Sequence, residues 1–125
     1  MGTDVLVADD NADIRTVAEA KLQTEFNVET VTDGRAAWEY LTGHAEDQPE
    51  IIVLDVMMPE LDGFSVLERV RAHETLTDVP VLVLTSRSRE EDVVQALETG
   101  ADDFVAKPFS ADELIIRVRK ILEEP

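Results

Sequence analysis

Two continuous apolar segments, IIVLD at 51–55 and VPVLVLTS at 79–86, constrain the fold more than any other feature of the chain. Neither segment alternates with polar residues, as a strand with one face in water would. Strands that are apolar on both faces must be covered on both sides, which is typical of a parallel sheet between two layers of helices. The two segments therefore predict an α/β fold.

Strand and helix patterns alternate along the rest of the chain. Three shorter strands are predicted at 4–8, 27–31 and 103–107. Apolar residues spaced three or four apart predict helices at 11–25, 33–43, 61–74, 88–100 and 110–124. Because parallel crossovers are right-handed, this order predicts a doubly wound, five-stranded parallel sheet with five helices, formed by one domain over residues 1–125.

Composition excludes several classes of site and partner. The chain contains no cysteine, so it can form neither a disulfide nor a thiolate metal site. No apolar run approaches the ~20 residues of a membrane helix, and no signal peptide is visible, so the cytoplasm is the expected compartment, with no membrane partner. Acidic residues outnumber basic ones by 28 to 11, so this domain is not expected to bind nucleic acid directly.

The net charge of −17 suggests a hypothesis about the source of the protein. Only Lys21, Lys107 and Lys120 are lysines among its cations. Acid-rich, lysine-poor surfaces suit proteins that stay soluble in concentrated salt, where charge repulsion is screened within ~3 Å at molar strength. A salt-accumulating halophile is one interpretation, and an ordinary acidic protein is the other.

Polar residues follow the predicted strands at one edge of the sheet. They are Asp9 and Asp10 after the first strand, Asp55 at the end of the third, Thr85 and Ser86 at the end of the fourth, and Lys107 and Pro108 at the end of the fifth. Ligands of doubly wound sheets bind at this carboxyl edge. Three carboxylates close together cannot all stay ionised without a cation, and an oxygen-only site suits Mg²⁺.

Each of these residues has an ordinary structural interpretation when it is considered alone. Asp9 or Asp10 can cap the following helix, although Asn11 is itself a good cap. Thr85 can be a plain strand residue, and Lys107 can be a solvated charge. Four strand ends that each carry a polar or reactive group favour a functional site instead.

This set of residues matches the needs of phosphoryl transfer to an aspartate. A carboxylate oxygen can attack phosphorus to form an acyl phosphate, and the remaining needs are positioning and neutralisation of charge. Asp55, from the middle strand, is the predicted nucleophile, and Asp9 and Asp10 are the predicted metal ligands. Lys107 and Thr85 are predicted to bind phosphoryl oxygens.

The chain resembles the receiver domain of two-component response regulators over nearly its whole length. The motifs are ADDN (8–11), LDVMMPELDG (54–63), VLTS (83–86), TGADDFVAKPFS (99–110) and ELIIRVRK (113–120). The resemblance implies a flavodoxin-like fold with strand order 2-1-3-4-5. It also implies a signalling module, not an enzyme, that receives a phosphoryl group from a sensor histidine kinase. The chain can be complete or excised from a longer regulator with an output domain.

The resemblance implies roles for the residues around the predicted nucleophile. Asp55 would be the phosphorylation site. Mg²⁺ would be bound by Asp10, Asp55 and the backbone carbonyl of Met57, with Asp9 acting through water. Met57 and Arg87 stand at positions that tune the lifetime of the phosphoryl group, and the bulk of Met57 predicts a longer lifetime than that of fast chemotaxis-type receivers.

The resemblance also implies a conformational switch. Thr85 would move toward the phosphoryl group, and the aromatic ring of Phe104 would turn into the space that it leaves. The family often has tyrosine at this position, and Phe104 has no hydroxyl, so the coupling should rest on packing alone. A cis peptide bond between Lys107 and Pro108 would aim the lysine inward.

The segment from 100 to 120 resembles receivers that are paired with winged-helix DNA-binding domains. Such receivers dimerise through the fourth helix, the fifth strand and the fifth helix. Val93 and Gln95 stand where cations are usual, so Glu113 would lack a partner. Exposed pairs contribute only ~0–1 kcal/mol each, and the same charges can equally form a solvated face. The residues that match the dimer face are Leu97, Asp102, Asp103, Glu113, Ile115, Arg117 and Arg119.

Two other functions remain open. A phosphatase of the haloacid-dehalogenase type also uses an aspartate nucleophile with Mg²⁺. Such enzymes usually carry a second aspartate two residues later, where this chain has Met57, and 125 residues leave no room for a cap domain. A pseudo-receiver would bind partners without phosphorylation, and the complete set of site residues argues against it.

The halophile hypothesis predicts that salt stabilises the fold. Molar KCl should raise the melting temperature by several degrees, because it screens the repulsion among the 28 acidic residues. Thermal melts in low and in molar KCl measure this difference. A melting temperature that does not rise with salt would contradict the hypothesis.

Overall fold

Strands and helices alternate along the whole of the described chain. The structure is a computed structural model, and it describes residues 2–44, 46–86 and 90–123. The elements are β1 (Val5–Ala8), α1 (Ala12–Leu22), β2 (Val28–Val31), α2 (Gly34–Gly43), β3 (Ile51–Asp55), α3 (Gly63–Ala72), β4 (Val81–Ser86), α4 (Glu90–Thr99), β5 (Asp103–Lys107) and α5 (Ala111–Glu123). Within these ranges, no helix is long and apolar enough to cross a bilayer.

All strands run parallel in one sheet with the order β2-β1-β3-β4-β5. This confirms the doubly wound α/β fold and the predicted strand order. The order reverses beside β1, because the chain leaves this strand for one edge and then crosses to β3 on its other side. Such a switch point opens a crevice at the carboxyl ends of the two strands.

The central strand β3 is buried on both faces, as its continuous apolar sequence predicts. Ile52 and Leu54 belong to a cluster that includes buried residues of α2, α3 and α4. Ile51 and Val53 belong to a second cluster, which includes buried residues of α1 and α5. Side chains of a strand alternate between its faces, so one strand supplies both layers of the core.

Short polar side chains determine where the helices begin. The predicted helix 11–25 begins at Ala12, because the Asn11 side chain accepts hydrogen bonds from the backbone N–H groups of Asp13 and Ile14. It ends at Leu22, and the next three residues form a turn into β2. The predicted helix 61–74 begins at Gly63, because Asp62 is its N-cap. The first residues of the predicted helix 88–100 lie outside the described residues.

Arg71 connects α3 to the loops at the amino edge of the sheet. Its guanidinium group donates hydrogen bonds to the backbone carbonyls of Thr77, Val79 and Gly100 at 2.7–3.0 Å. It also forms an ion pair with Asp102 at 2.9 Å. Gly100 has a φ of +119°, and a Cβ at this position would lie 3.0 Å from the Arg71 side chain. One cation therefore holds the end of α4 against α3.

Replacement of Arg71 by methionine should destabilise the domain by about 2–4 kcal/mol, because it leaves several half-buried carbonyl groups and Asp102 without their donor. Urea unfolding of the purified variant measures this loss. Arg35→Met is the matched control, because Arg35 is exposed on α2 and forms no ion pair within the described residues. Equal stability of the two variants would show that the Arg71 contacts contribute little.

Candidate functional site

The strand register brings the predicted acidic residues to one point of the sheet edge. Ala8 is paired with Leu54, so Asp9 and Asp55 lie side by side just beyond this level. One carboxylate oxygen from each of Asp9, Asp10 and Asp55 lies within 4.8 Å of the others. The three predicted carboxylates therefore form a single cluster at the switch point.

The carboxylates of the cluster differ in their exposure to water. Asp9 is completely buried and Asp55 is 4% exposed, whereas Asp10 is exposed. The Asp9 carboxylate accepts a hydrogen bond from the Asn11 N–H at 2.9 Å, and Arg15 donates to the Asp9 backbone carbonyl at 2.9 Å. The loop between β1 and α1 thus fixes Asp9 and leaves Asp10 facing solvent.

Among the described residues, Lys107 is the only cation that contacts the buried carboxylates. Its Nζ lies 2.8 Å from Asp9 Oδ2 and 3.3 Å from Asp55 Oδ1. Lys107 is the last residue of β5, next to Ser86 in the register, and the peptide bond to Pro108 is cis. The ammonium group therefore lies between the two carboxylates and partly neutralises them.

Burial and charge shift the protonation of the cluster. Burial raises the pKa of Asp55, the nearby charge of Asp9 raises it further, and Lys107 offsets part of the rise, which leaves the pKa at about 6. Burial lowers the pKa of Lys107, but its contacts with Asp9 and Asp55 outweigh burial and hold that pKa above its ordinary value. Asp55 is thus mostly ionised at neutral pH, in an environment that favours added positive charge.

Asp55 is paired with Leu84 of the neighbouring strand β4, so Thr85 lies one residue beyond the level of Asp55. Thr85 is 1% exposed. Its hydroxyl is buried and has no hydrogen-bond partner within the described part of the chain. A buried hydroxyl without a partner is unfavourable, so this donor is available for an incoming group. Phe104 on β5 is half-buried and packs against the cluster of core residues that contains Ala96 of α4.

The loop between β3 and α3 closes the site from the other side. The Met57 N–H donates a hydrogen bond to Asp55 Oδ1 at 3.3 Å. Gly63 begins α3 against the backbone of β3, and a Cβ at this position would lie 2.2 Å from the Asp55 carbonyl oxygen. Sequence reasoning did not identify Gly63 or Arg15 as supports of the site. The Asp62-Gly63 pair at the start of a helix was the available signal for the glycine.

The described residues fit a hard divalent cation. The cluster offers carboxylate oxygens from three aspartates, and oxygen donors are the ligands that Mg²⁺ prefers. Lys107 offsets only part of the negative charge, since it is one cation among three acidic groups. The exposed Asp10 leaves the cluster open to an ion from solvent.

The residues of the predicted dimer face do not all lie on one surface. Leu97 on α4 is about half exposed, whereas Ile115 on α5 is 2% exposed and packs in the core. Ile116, the next residue, is 56% exposed. Arg119 forms an ion pair with Glu25, next to the end of α1, and thus lies on the side of α5 that faces α1.

The other charged residues of this face are paired within the chain. Asp102 binds Arg71 at 2.9 Å, and Asp103 binds Arg117 at 3.0 Å. Glu113 lies 3.9 Å from Arg117 on the same helix. Arg87, which the resemblance places at a tuning position, lies outside the described residues.

Comparisons with known proteins show similarity to receiver domains over nearly the whole chain. The family model described as response regulator receiver domain matches residues 5–119. The receiver domain of the Francisella response regulator 1452 is 35% identical, with a TM-score of 0.84 over 98% of both chains. Chemotaxis response regulator CheY4 of Vibrio cholerae is 30% identical, with a TM-score of 0.84 over 97% of this chain and 99% of that one.

The curated relatives are longer than this chain. The transcriptional regulatory protein PrrA of Mycobacterium tuberculosis is 45% identical over 119 residues, which are 94% of this chain and 49% of that protein. The chain spans about half the length of the curated relatives it matches.

The raised pKa predicts that the Asp55 charge destabilises the metal-free fold. The pKa of Asp55 is about 6 in the folded protein and 3.8 ordinarily, so the folded state loses stability as pH rises from about 4 to about 6. In EDTA at about pH 7.5, Asp55→Asn should therefore raise the free energy of unfolding by up to about 3 kcal/mol. The gain should disappear near pH 4.

Urea unfolding of the wild type and of Asp55→Asn across this pH range measures the effect. Asp10→Asn is the control, because it removes an exposed charge of the same cluster. A variant that is no more stable than the wild type at the higher pH would contradict the electrostatic interpretation.

Proposed function

The chain belongs to the response regulator receiver family, and from that premise we propose that it accepts a phosphoryl group on Asp55 from a sensor histidine kinase. The observation that supports this proposal is the contact of Lys107 with both Asp9 and Asp55 at the switch point of the sheet. In this proposal the domain is a signalling module, whose own phosphorylation and dephosphorylation are its only chemistry.

The roles of the side chains follow from their positions. An oxygen of the Asp55 carboxylate forms a bond to phosphorus while the bond between phosphorus and the leaving group of the donor breaks. Lys107 lies beside the attacking group and offsets the charge of a phosphoryl oxygen. The buried Thr85 hydroxyl donates its unused hydrogen bond to another phosphoryl oxygen.

Asp10, Asp55 and the backbone carbonyl of Met57 would bind Mg²⁺, with Asp9 contributing through water. The bound ion would neutralise the charge that develops on the transferring phosphoryl group. The carboxylate cluster and its open side at Asp10 support this assignment. A cation held there would also lower the pKa of the Asp55 carboxyl from about 6 and so keep the nucleophile ionised.

The signal would leave the site through Thr85 and Phe104. Movement of Thr85 toward the phosphoryl group would open space on β4 that the Phe104 ring can enter. Phe104 already packs against the core cluster that includes Ala96, so its position is coupled to α4. Because the ring carries no hydroxyl, this coupling depends on packing.

The output surface would be the face formed by α4, β5 and α5. On this face Leu97 and Ile116 are exposed apolar residues. Pairs across a homodimer would compete with the pairs that Asp102, Asp103 and Arg117 already form within the chain. We therefore propose that any homodimer through this face relies mainly on the apolar contacts. A fused or separate output domain is the alternative partner, since curated relatives named as transcriptional regulators are about twice as long.

Incubation with acetyl phosphate and Mg²⁺, followed by intact mass spectrometry, tests the proposal. One phosphoryl adduct is expected on the wild type, and none is expected on Asp55→Ala. Lys107→Met should reduce adduct formation by at least about tenfold, because it removes the charge beside the attacking carboxylate. Asp62→Ala is the control for these variants, because Asp62 caps α3 and does not belong to the carboxylate cluster.

The other outcomes identify the competing functions. Steady hydrolysis of a phosphoester substrate would favour a phosphatase. An unchanged mass after treatment with the phosphodonor would favour a pseudo-receiver.

A further inference from the structure

Met57 exposes a thioether sulfur next to the phosphoacceptor. The sequence contains three methionines and no cysteine. Met57 is 55% exposed, whereas Met58 is 8% exposed, and Met1 lies outside the described residues. Within the described chain, Met57 is therefore the one sulfur that an oxidant in solution reaches readily.

Met57 lies in a groove that Asp10 of the carboxylate cluster also lines, two residues from Asp55. Its backbone N–H binds Asp55 Oδ1, and its side chain lines a groove together with Asp10, Pro59 and Phe64. Most of the exposed area of this groove is apolar. The thioether is thus part of an apolar wall beside the carboxylate cluster.

We propose that Met57 is a site of reversible oxidation, and that its sulfoxide shortens the lifetime of the phosphoryl group on Asp55. This inference rests on the proposed function, because it needs Asp55 to be the phosphoacceptor. It assigns a redox input to a chain that carries no thiol.

The chemistry needs a two-electron oxidant of the peroxide class. The sulfur attacks one oxygen of the peroxide, the O–O bond breaks, and a new S–O bond forms while water leaves. The sulfur is oxidised and the peroxide is reduced. Methionine sulfoxide reductases reverse the reaction, so the modification can serve as a signal.

The sulfoxide changes the wall from apolar to polar. An apolar thioether offers water little hydrogen bonding, whereas the sulfoxide oxygen is a strong acceptor. A water held by this oxygen in the groove lies close to the phosphoryl group on Asp55. One hydrogen bond of ordinary strength to the attacking water predicts that dephosphorylation becomes about fivefold faster.

Limited oxidation with dilute hydrogen peroxide, followed by peptide mapping, tests the assignment of the site. Met57 should be oxidised well before Met58, in agreement with their exposure. Dephosphorylation of Asp55 is then followed by intact mass in oxidised and untreated protein. Oxidised protein should lose the phosphoryl group about fivefold faster, and treatment with sulfoxide reductases should restore the original rate.

Two variants separate the effect of Met57 from general damage. In Met57→Leu, peroxide should leave the dephosphorylation rate of that variant unchanged, because leucine cannot be oxidised. In Met58→Leu, the acceleration should persist. Equal oxidation of Met57 and Met58, or a rate that oxidation leaves unchanged or slows, would overturn the inference. Absence of any adduct on untreated protein would instead overturn the proposed function. Peptide mapping does not depend on the adduct, so it would still test whether Met57 is the site of oxidation.

Discussion

The contact of one lysine with two buried aspartates is the interaction on which the rest of the site depends. Asp9 and Asp55 are almost completely buried, and two carboxylates so close together repel each other strongly. Lys107 offsets this repulsion from the end of β5, at 2.8 and 3.3 Å. The neutralisation is incomplete, because the pKa of Asp55 stays near 6. The folded chain thus holds an unfavourable charge at its sheet edge, which a bound cation would relieve.

A rigid sheet is needed to hold such a cluster, because charges on mobile loops would move apart. The cluster is delivered by β1, β3 and β5, and the apolar residues of β1 and β3 are completely buried between the two helix layers. Asp55 at the end of β3 can therefore be strained electrostatically without moving. The opposite edge of the sheet is fixed by Arg71, which holds the end of α4. In the proposed switch, a change at the carboxyl edge would be transmitted toward α4 through Phe104, which packs against the core cluster that contains Ala96.

The sequence was sufficient for the fold because apolar periodicity and strand-end chemistry are local signals. The bounds of β3 and β5 agree with the predicted 51–55 and 103–107, since each strand is delimited by polar or turn residues. The carboxylate cluster was predictable because parallel strands end at one edge. Contacts between distant helices were not predictable. The pairing of Arg119 with Glu25 and the burial of Ile115 depend on how α5 is rotated about its axis against α1 and the sheet. The apolar pattern of a helix sequence predicts the buried face only to within about one residue.

The two adjacent aspartates after β1 differ in their exposure to solvent and in their contacts. Asp9 directly follows β1 and is completely buried, and Asn11 and Lys107 bind its carboxylate. Asp10 is the next residue, in the turn toward α1, and it is exposed to solvent. The exposed Asp10 can meet an ion from solvent, whereas the completely buried Asp9 is already held by Asn11 and Lys107. In the proposed site, this difference assigns direct contact with the ion to Asp10 and contact with Lys107 to Asp9.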